Sequence, residues 1–256
     1  MTSAEPTPAG SASLPAWSRR PANLASALAG ELVERIVKGE YPSGTALPPE
    51  PALCERFSVS RTVVREAVKM LQEKGLVQVR RGSGTTVTPA VAWNMLDELV
   101  LVASIAEDKG LDVLDDVVVT RRLLESDMAN VAARQADDEV LLQLQRLVAT
   151  MDTLVDDPTA YADHDRAFHD TIMRTSGNRI ARAVVRALES QVINTAQYLG
   201  EIRRDLCVAS NNGHRNIYLR IAAHDPDGAA KAMFTHITEA WEVRRGGSGE
   251  PVRLRR

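Results

Sequence analysis

The chain has 256 residues, of which 44% are hydrophobic and 25% charged, as is usual for soluble proteins. The longest apolar run, LVLVASIA at 99–106, is too short to span a bilayer, and the N-terminus lacks the apolar core of a signal peptide. Cys54 and Cys207 form neither a CxxC pair nor a disulfide framework, so we expect a cytoplasmic protein and no membrane partner.

The net charge of -3 is unevenly distributed along the chain. Residues 17–90 carry 11 Lys and Arg against 7 Asp and Glu, whereas residues 91–256 carry 20 against 26. A basic first part and an acidic second part indicate two different tasks. Any binding of a polyanion is therefore expected in the first part.

Residues 1–20, rich in Pro, Ala, Ser and Thr, are expected to form a disordered tail, and 21–90 a first domain. Apolar residues recur at helical spacing from Leu24 to Lys38, and the Pro- and Gly-rich GEYPSGTALPPE must connect to a short helix between Pro49 and Arg56. A further helix begins after the capping residue Ser60 and ends at Gly75. LVQVRRGSGTTVTP then predicts a β-hairpin, so the order is that of a winged helix-turn-helix.

The helix within SRTVVREAVKMLQEKGL, residues 60–76, has a basic face. Arg61, Arg65 and Lys69 are four residues apart and share that face, opposite an apolar one. A solvated surface would explain such a stripe by itself. In a winged helix-turn-helix, however, this helix lies in the DNA major groove, and Arg80 and Arg81 at the hairpin tip suit phosphate contacts. We therefore expect a double-stranded DNA operator as partner.

Residues 91–244 are expected to form a second domain, in which 94–243 predict six or seven amphipathic helices with breaks near Gly110, Asp137, Pro158, Gly177, Gly200 and Pro226. We expect an antiparallel all-helical bundle that serves effector binding, metal binding and dimerisation. Residues 245–256 are expected to be a flexible tail. The whole chain is therefore predicted to be mainly α.

Four side chains of this second domain predict a metal site. Asp165 and His169 are four residues apart and share a helix face. His214 and His236 lie eleven residues to either side of Asp225, where HDPDG breaks the helix, so a helical hairpin brings them to the same level. One carboxylate and three imidazoles suit zinc, nickel or a similar divalent ion. The alternative is four ordinary helical residues; we expect His164 and His224 to be surface residues.

The first domain resembles the GntR family of bacterial transcription regulators, through YPSGTALPPEPAL, VSRTVVREAVKMLQEKGLV and RRGSGTTV. The second resembles the FadR-type effector domain, FCD, through RRLLESDMANVAA, DRAFHDTIMRTSGN and HRNIYLRIAAHDPDGAAKAMFTH. The two resemblances cover about residues 24–243. The second also implies a metal site, because Asp165, His169, His214 and His236 match the ligand pattern of metal-binding FCD domains.

The GntR resemblance implies which residues contact the operator. In and before the helix that follows Ser60, called the recognition helix, these are Ser60, Arg61, Thr62 and Arg65. In the β-hairpin, called the wing, they are Arg81 and Gly82. The chain departs from the family in two places. Pro49-Glu50-Pro51 replaces the usual Ser-Glu-Arg, which removes an arginine that often contacts DNA, and Ser58 occupies a turn position that is often Gly.

The FCD resemblance implies that Arg121 faces an effector cavity; the alternative is a surface ion pair with Glu125, one helical turn on. An open metal and an arginine would suit a small carboxylate, and AWNMLDELVL resembles the corresponding segment of sugar-acid regulators. We therefore predict a homodimeric regulator, usually a repressor, controlled by such an effector. The alternatives are a metal-dependent hydrolase or oxygenase with a DNA-tethering domain, for which only Glu125 could be the general base, and a structural DNA-binding protein without effector.

Overall fold

The structure, a computed structural model, describes residues 23–80, 84–108, 111–192, 195 and 204–246. The chain divides into two compact units, Met1–Ala103 and Ser104–Arg256. This division falls later than residue 90, where we placed the domain boundary. The reason is that Val100 and Ala103, within the helix Glu98–Glu107, are buried in the hydrophobic core of the first unit.

The first unit has three helices followed by a two-stranded sheet. Helix α1 spans Leu24–Val37, α2 Glu50–Phe57 and α3 Arg61–Glu73. Strands β1 (Val77–Arg80) and β2 (Gly84–Val87) pair antiparallel, with Val77 opposite Val87. A short 3-10 helix, Ala90–Ala92, leads to α4 at Glu98–Glu107. The order confirms the predicted winged helix-turn-helix, with each helix boundary within one or two residues of its expected place.

Local sequence explains how these helices begin and end. The Asn23 side chain accepts hydrogen bonds from the backbone N–H groups of Ala25 and Ser26, and that of Ser60 accepts from Val63, so two helix starts are capped. Ser58 adopts the left-handed conformation with φ 52°, a backbone geometry that glycine takes most easily. Gly75 also has positive φ, and a Cβ there would lie 2.2 Å from the carbonyl oxygen of Ala92.

The core of the first unit is formed by the apolar faces of its three helices and the sheet. Its fully buried members include Leu28, Leu32, Leu53, Val64, Ala67, Leu71 and Leu76. Burying one such leucine contributes about 2 kcal/mol, so several of them fix α3 against α1 and α2. The opposite face of α3 is left exposed to solvent.

The second unit is an all-helical bundle. After α4, which straddles the division, its helices are α5 (Asp112–Gln135), α6 (Asp138–Thr153), α7 (Pro158–Thr175), α8 (Arg179–Val192), α9 (Arg204–Ala222) and α10 (Pro226–Gly246). The breaks at Asp137, Pro158, Gly177 and Pro226 are confirmed, and those near Gly110 and Gly200 lie outside the described residues. Side chains of Asp137 and Asp157 cap α6 and α7.

Helices α5 and α10 run antiparallel along their length. Trp241 Nε1 donates to Asp115 at one end, 2.7 Å away, and Asn130 Nδ2 donates to Asp227 at the other, 3.1 Å away. Arg245 is buried against Asp115. The last helix therefore includes Arg245 and Gly246, which we had assigned to the flexible tail, because a buried ion pair holds this end of the helix.

Helices α9 and α10 form the helical hairpin expected at HDPDG. His224, two residues after the end of α9, has φ 48°, and Asp225 accepts a hydrogen bond from the N–H of Gly228 in the first turn of α10. His224 is exposed, as expected, while its Nδ1 hydrogen-bonds to the carbonyl oxygen of Ala133. His164 is half-buried and bonds to the carbonyl oxygen of Ala160 in its own helix.

Candidate DNA interface and metal centre

The exposed face of α3 carries the residues expected to contact DNA. Ser60, Arg61, Thr62 and Arg65 are all exposed, as is Lys69 one turn further along. The face is thus basic and free of apolar bulk, because Val64, Ala67 and Leu71 are directed to the core. In the wing, Arg80 is exposed, while Arg81 and Gly82 lie outside the described residues.

Arg65 has an acidic partner that the sequence did not point to. Its Nε lies 3.1 and 3.0 Å from the two carboxylate oxygens of Glu50, at the start of α2. Both side chains remain largely exposed, so the pair itself is worth little to stability. Its effect is to fix the direction of a long side chain at the N-terminal part of the recognition helix.

In the second unit, the four predicted metal ligands come together. Asp165 and His169 extend from α7, His214 from α9 and His236 from α10. Each offers one ligand atom, and these atoms all lie within 4.8 Å of one another. The three histidines are buried, whereas 31% of the Asp165 side chain is exposed. The cluster therefore has an apolar, buried side and one side that solvent reaches.

The Nε2 atoms of the three histidines point into the cluster, toward one another or toward Asp165. Nε2 of His169 lies 3.3 Å from Nε2 of His236. Nε2 of His214 is buried and lies 3.2 Å from Oδ1 of Asp165, but without the alignment of a hydrogen bond. A buried nitrogen without an aligned partner is costly unless another group binds it.

This donor set fits a divalent metal ion. Metal–nitrogen and metal–oxygen bonds of about 2.1 Å place ligand atoms roughly 3.0–4.2 Å apart, close to the observed separations. Three imidazoles and one carboxylate are the ligand types that zinc and nickel favour. An ion bound by the four would also satisfy the Nε2 atom of His214.

The surroundings of the cluster set its protonation. Burial lowers the pKa of His214, and burial together with the other two imidazoles lowers the pKa of His236 well below its ordinary value. Burial alone would raise the pKa of Asp165, but the neighbouring histidines, His214 foremost, lower it strongly. Two neutral imidazoles and an ionised carboxylate are the forms that bind metals.

Glu125 on α5 contacts Nδ1 of His169, the ring nitrogen that does not face the cluster. The two side chains approach to 2.6 Å, between Oε2 and Nδ1, and Glu125 is fully buried. Burial tends to raise the pKa of Glu125, but Arg121 and His169 lower it to about 2. An ionised carboxylate can only accept, so Nδ1 of His169 carries a proton and Nε2 is the atom that would face a metal. Although burial opposes it, the charges of Glu125 and Asp165 raise the pKa of His169, so a metal ion would compete with a proton for Nε2. The sequence suggests Glu125 as a partner of Arg121 or as a general base, and no spacing links it to His169.

Arg121 continues this chain of contacts outward. Its Nε donates to Oε1 of Glu125 at 2.8 Å, and its Nη2 lies 2.7 Å from Oε1 of Glu189 on α8. The ion pair with Glu125 that we gave as the alternative is present, but it is buried and not on the surface. Glu189 was not anticipated, because nothing local in the sequence relates α8 to α5.

Two further residues adjoin the histidines. The hydroxyl of Tyr161 lies 3.5 Å from Nδ1 of His214, at the other side of the ring from the cluster. Gly213 lies against His236: a Cβ at residue 213 would come within 2.4 Å of Nδ1. Neither residue has a sequence signal of its own, since both depend on how the helices pack.

The fold and the two sites define a helix-turn-helix DNA-binding protein with a helical, ligand-binding second domain. Residues 24–87 match the model of the bacterial regulatory proteins of the gntR family, and residues 116–239 match that of the FCD domain. The chain belongs to the gntR family and carries an FCD effector domain, which confirms both resemblances.

Individual relatives agree with this assignment. The chain is 37% identical to the uncharacterised HTH-type transcriptional regulator YieP of Escherichia coli K12 over 212 residues, which are 82% of this chain and 90% of YieP. It is 27% identical to the galactonate operon transcriptional repressor of the same organism, over 82% of this chain and 91% of that protein. The solved structure of E. coli McbR/YncC shares the fold, with a TM-score of 0.51 and 18% identity over 88% of this chain and 99% of that one.

The family consists of transcription regulators, so the chain is a DNA-binding transcription regulator and not an enzyme. Glu125 agrees with this conclusion, because both of its carboxylate oxygens are engaged by Arg121 and His169. Among the described residues, no helix has both the length and the apolar character needed to cross a membrane.

Proposed function

We propose that this regulator is a cytoplasmic, homodimeric repressor whose operator affinity is controlled by a small carboxylate, such as a sugar acid, bound beside a divalent metal in the FCD domain. The observation that carries the proposal is the convergence of Asp165, His169, His214 and His236 on one point. The name of the galactonate operon repressor supports the sugar-acid class.

The ligand set leaves room for an effector. Four protein ligands leave two positions free on an octahedral zinc or nickel ion, and solvent reaches the cluster beside Asp165. A carboxylate or an α-hydroxy acid has oxygen donors for such positions. Arg121, which is linked through Glu125 to His169, would balance the charge of the acid.

DNA binding is proposed to use Ser60, Arg61, Thr62 and Arg65, with Arg81 and Gly82 at the wing. Arginine can bind guanine through two hydrogen bonds and also binds phosphate. One recognition helix reads only a few base pairs, so we expect two copies on a near-palindromic operator. Light scattering of the protein on its operator should give the mass of a dimer, and a single bound copy would contradict this.

The metal and the effector are tested together with one pair of variants. His214→Ala removes a ligand, and His164→Ala is the matched control, a histidine bound to its own helix backbone. His214→Ala should lose metal by elemental analysis and lose the effect of D-galactonate and related acids on operator binding. Operator binding without acid should survive in both variants.

Two results would contradict the proposal. The first is a wild-type protein that holds no zinc or nickel, takes up neither, and still releases its operator when an acid is added. The second is turnover of a sugar acid by the purified protein.

A further inference from the structure

Glu189 lies between the surface and Arg121. Helices α7 and α8 border a surface groove of about 480 Å³, lined by Arg166, Asp170, Met173, Arg186, Glu189 and Ser190 among others. Glu189 thus lines the groove, while its Oε1 lies 2.7 Å from Nη2 of Arg121. Only 15% of the Glu189 side chain and 10% of the Arg121 side chain are exposed. A molecule entering through this groove would meet Glu189 before Arg121.

If a divalent ion is bound at the cluster, the charges around Arg121 would be balanced while Glu189 is in place. Asp165, Glu125 and Glu189 together carry three negative charges. Arg121 and a divalent ion would carry three positive ones. An additional carboxylate would therefore leave one uncompensated negative charge in a largely buried site, which is costly. If Glu189 left this site, the negative charge of one incoming carboxylate would replace its own, and the site would stay neutral.

Glu189 has a second cation within reach. Arg186 precedes it by three residues on α8, lines the same groove and is exposed. Residues three apart on a helix lie on neighbouring parts of its surface, so their side chains can form an ion pair. Asp170, the other acid lining the groove, is already held by Arg182 at 2.8 and 3.0 Å.

We propose that Glu189 occupies the place on Arg121 that the carboxylate of the effector takes, and that the effector displaces Glu189 outward to Arg186. This inference rests on the proposed function, since it makes Arg121 the carboxylate-binding group. Glu189 is then the residue that sets the affinity for acids. Its movement would also give α8 a different set of contacts when effector is bound, as a two-state switch requires.

The test uses acetate as probe, with acetamide as its neutral analogue. Glu189→Gln and Glu189→Ala both remove the competing charge; Glu239→Gln removes the same charge from an exposed position on α10. Binding is followed by NMR titration of the arginine Nε–H signals. Both Glu189 variants should bind acetate at least about tenfold more tightly than wild type, because the competing like charge is gone. Glu239→Gln should bind acetate with the affinity of wild type. Acetamide should bind wild type and all variants equally.

A double variant locates the site. Adding Arg121→Gln to Glu189→Gln should abolish the gain in acetate affinity. A gain under twofold in both Glu189 variants, or a gain that persists without Arg121, overturns the inference. Melting curves and metal content of each sample show whether the variants are folded and loaded.

The proposed function has a separate test. If acids release the operator from wild type but Glu189→Gln gains no acetate affinity, only this inference fails. If the gain is present and no acid affects operator binding, the carboxylate site stands and acid control of DNA binding fails.

Discussion

At the scale of single residues, the metal-ligand cluster depends on how closely α9 and α10 approach. Gly213 precedes His214, one of the four proposed ligands, and lies against the ring of His236. Because Gly213 has no side chain, the ring of His236 can lie directly against it. Any larger side chain at residue 213 would displace the imidazole from its position in the cluster. Metal affinity is sensitive to such displacements, because all ligands must reach the ion at fixed distances.

Gly213→Ala should therefore reduce metal affinity by about 10- to 100-fold, the loss typical of disturbed ligand orientation. The same change would otherwise favour the helix by about 1 kcal/mol. Gly30→Ala in α1 is the matched control, since a Cβ there meets nothing within 4 Å. Competition with a metal-binding dye measures both. Equal affinities for Gly213→Ala and wild type would show that His236 does not depend on this contact.

At the scale of secondary-structure elements, α3 separates its two tasks onto two faces. Its buried face, with Val64, Ala67 and Leu71, ties it to the first unit's core, and its exposed face carries the cations. Exposed cations can be changed without loss of packing. A change in DNA binding in such a variant can therefore be attributed to the lost cation and not to altered folding.

Arg65→Ala should weaken operator binding by roughly 5- to 150-fold, the cost of about 1–3 kcal/mol for a lost base or phosphate contact. Lys231→Ala, an exposed cation on α10, removes the same charge from the other domain and should leave operator affinity unchanged. Gel-shift titrations at one fixed salt concentration compare the two. Metal content should be that of wild type in both variants.

Glu50 is expected to act on specificity through Arg65. Glu50→Gln removes a negative charge near DNA phosphates, so affinity for unrelated DNA should rise. It also frees Arg65 to adopt other directions, so preference for the operator should fall. Glu55→Gln, further along α2 and exposed, is the control for charge alone. An unchanged ratio of operator to non-specific affinity would show that Glu50 does not orient Arg65.

At the scale of the whole molecule, the second unit joins distant parts of the chain through one site. The cluster joins α7, α9 and α10, and Glu125 adds α5. An ion bound by all four ligands stabilises the folded state only, because the unfolded chain does not bring the ligands together. The stability of this unit and its occupancy by metal are therefore linked.

Removal of metal by chelator and dialysis should lower the melting temperature of the helical domain. An ion at 100 times its dissociation constant contributes about 2.7 kcal/mol, which corresponds to a shift of roughly 5–10 °C. Adding zinc or nickel back should restore it. His214→Ala should melt at the same temperature with and without chelator, and a chelator effect of wild-type size in that variant would contradict the assignment.

The sequence alone determined those features that depend on neighbours in the chain. The helix starts at Asn23 and Ser60 and the hairpin follow from local hydrogen bonding and turn preference. The convergence of Asp165, His169, His214 and His236 was also predictable, because helical spacing relates the first two and one hinge relates the last two.

Only the tertiary structure decided the groups that surround those ligands. Glu125 reaches His169 across 44 residues, and Glu189 reaches Arg121 from a helix with no periodic relation to α5. The pairing of Arg65 with Glu50 and the contact of Gly213 with His236 are likewise set by interhelical packing. The period of a helix states which of its own residues share a face. The packing of the whole core decides which face of a helix contacts which neighbouring helix, and how the two are positioned along their axes.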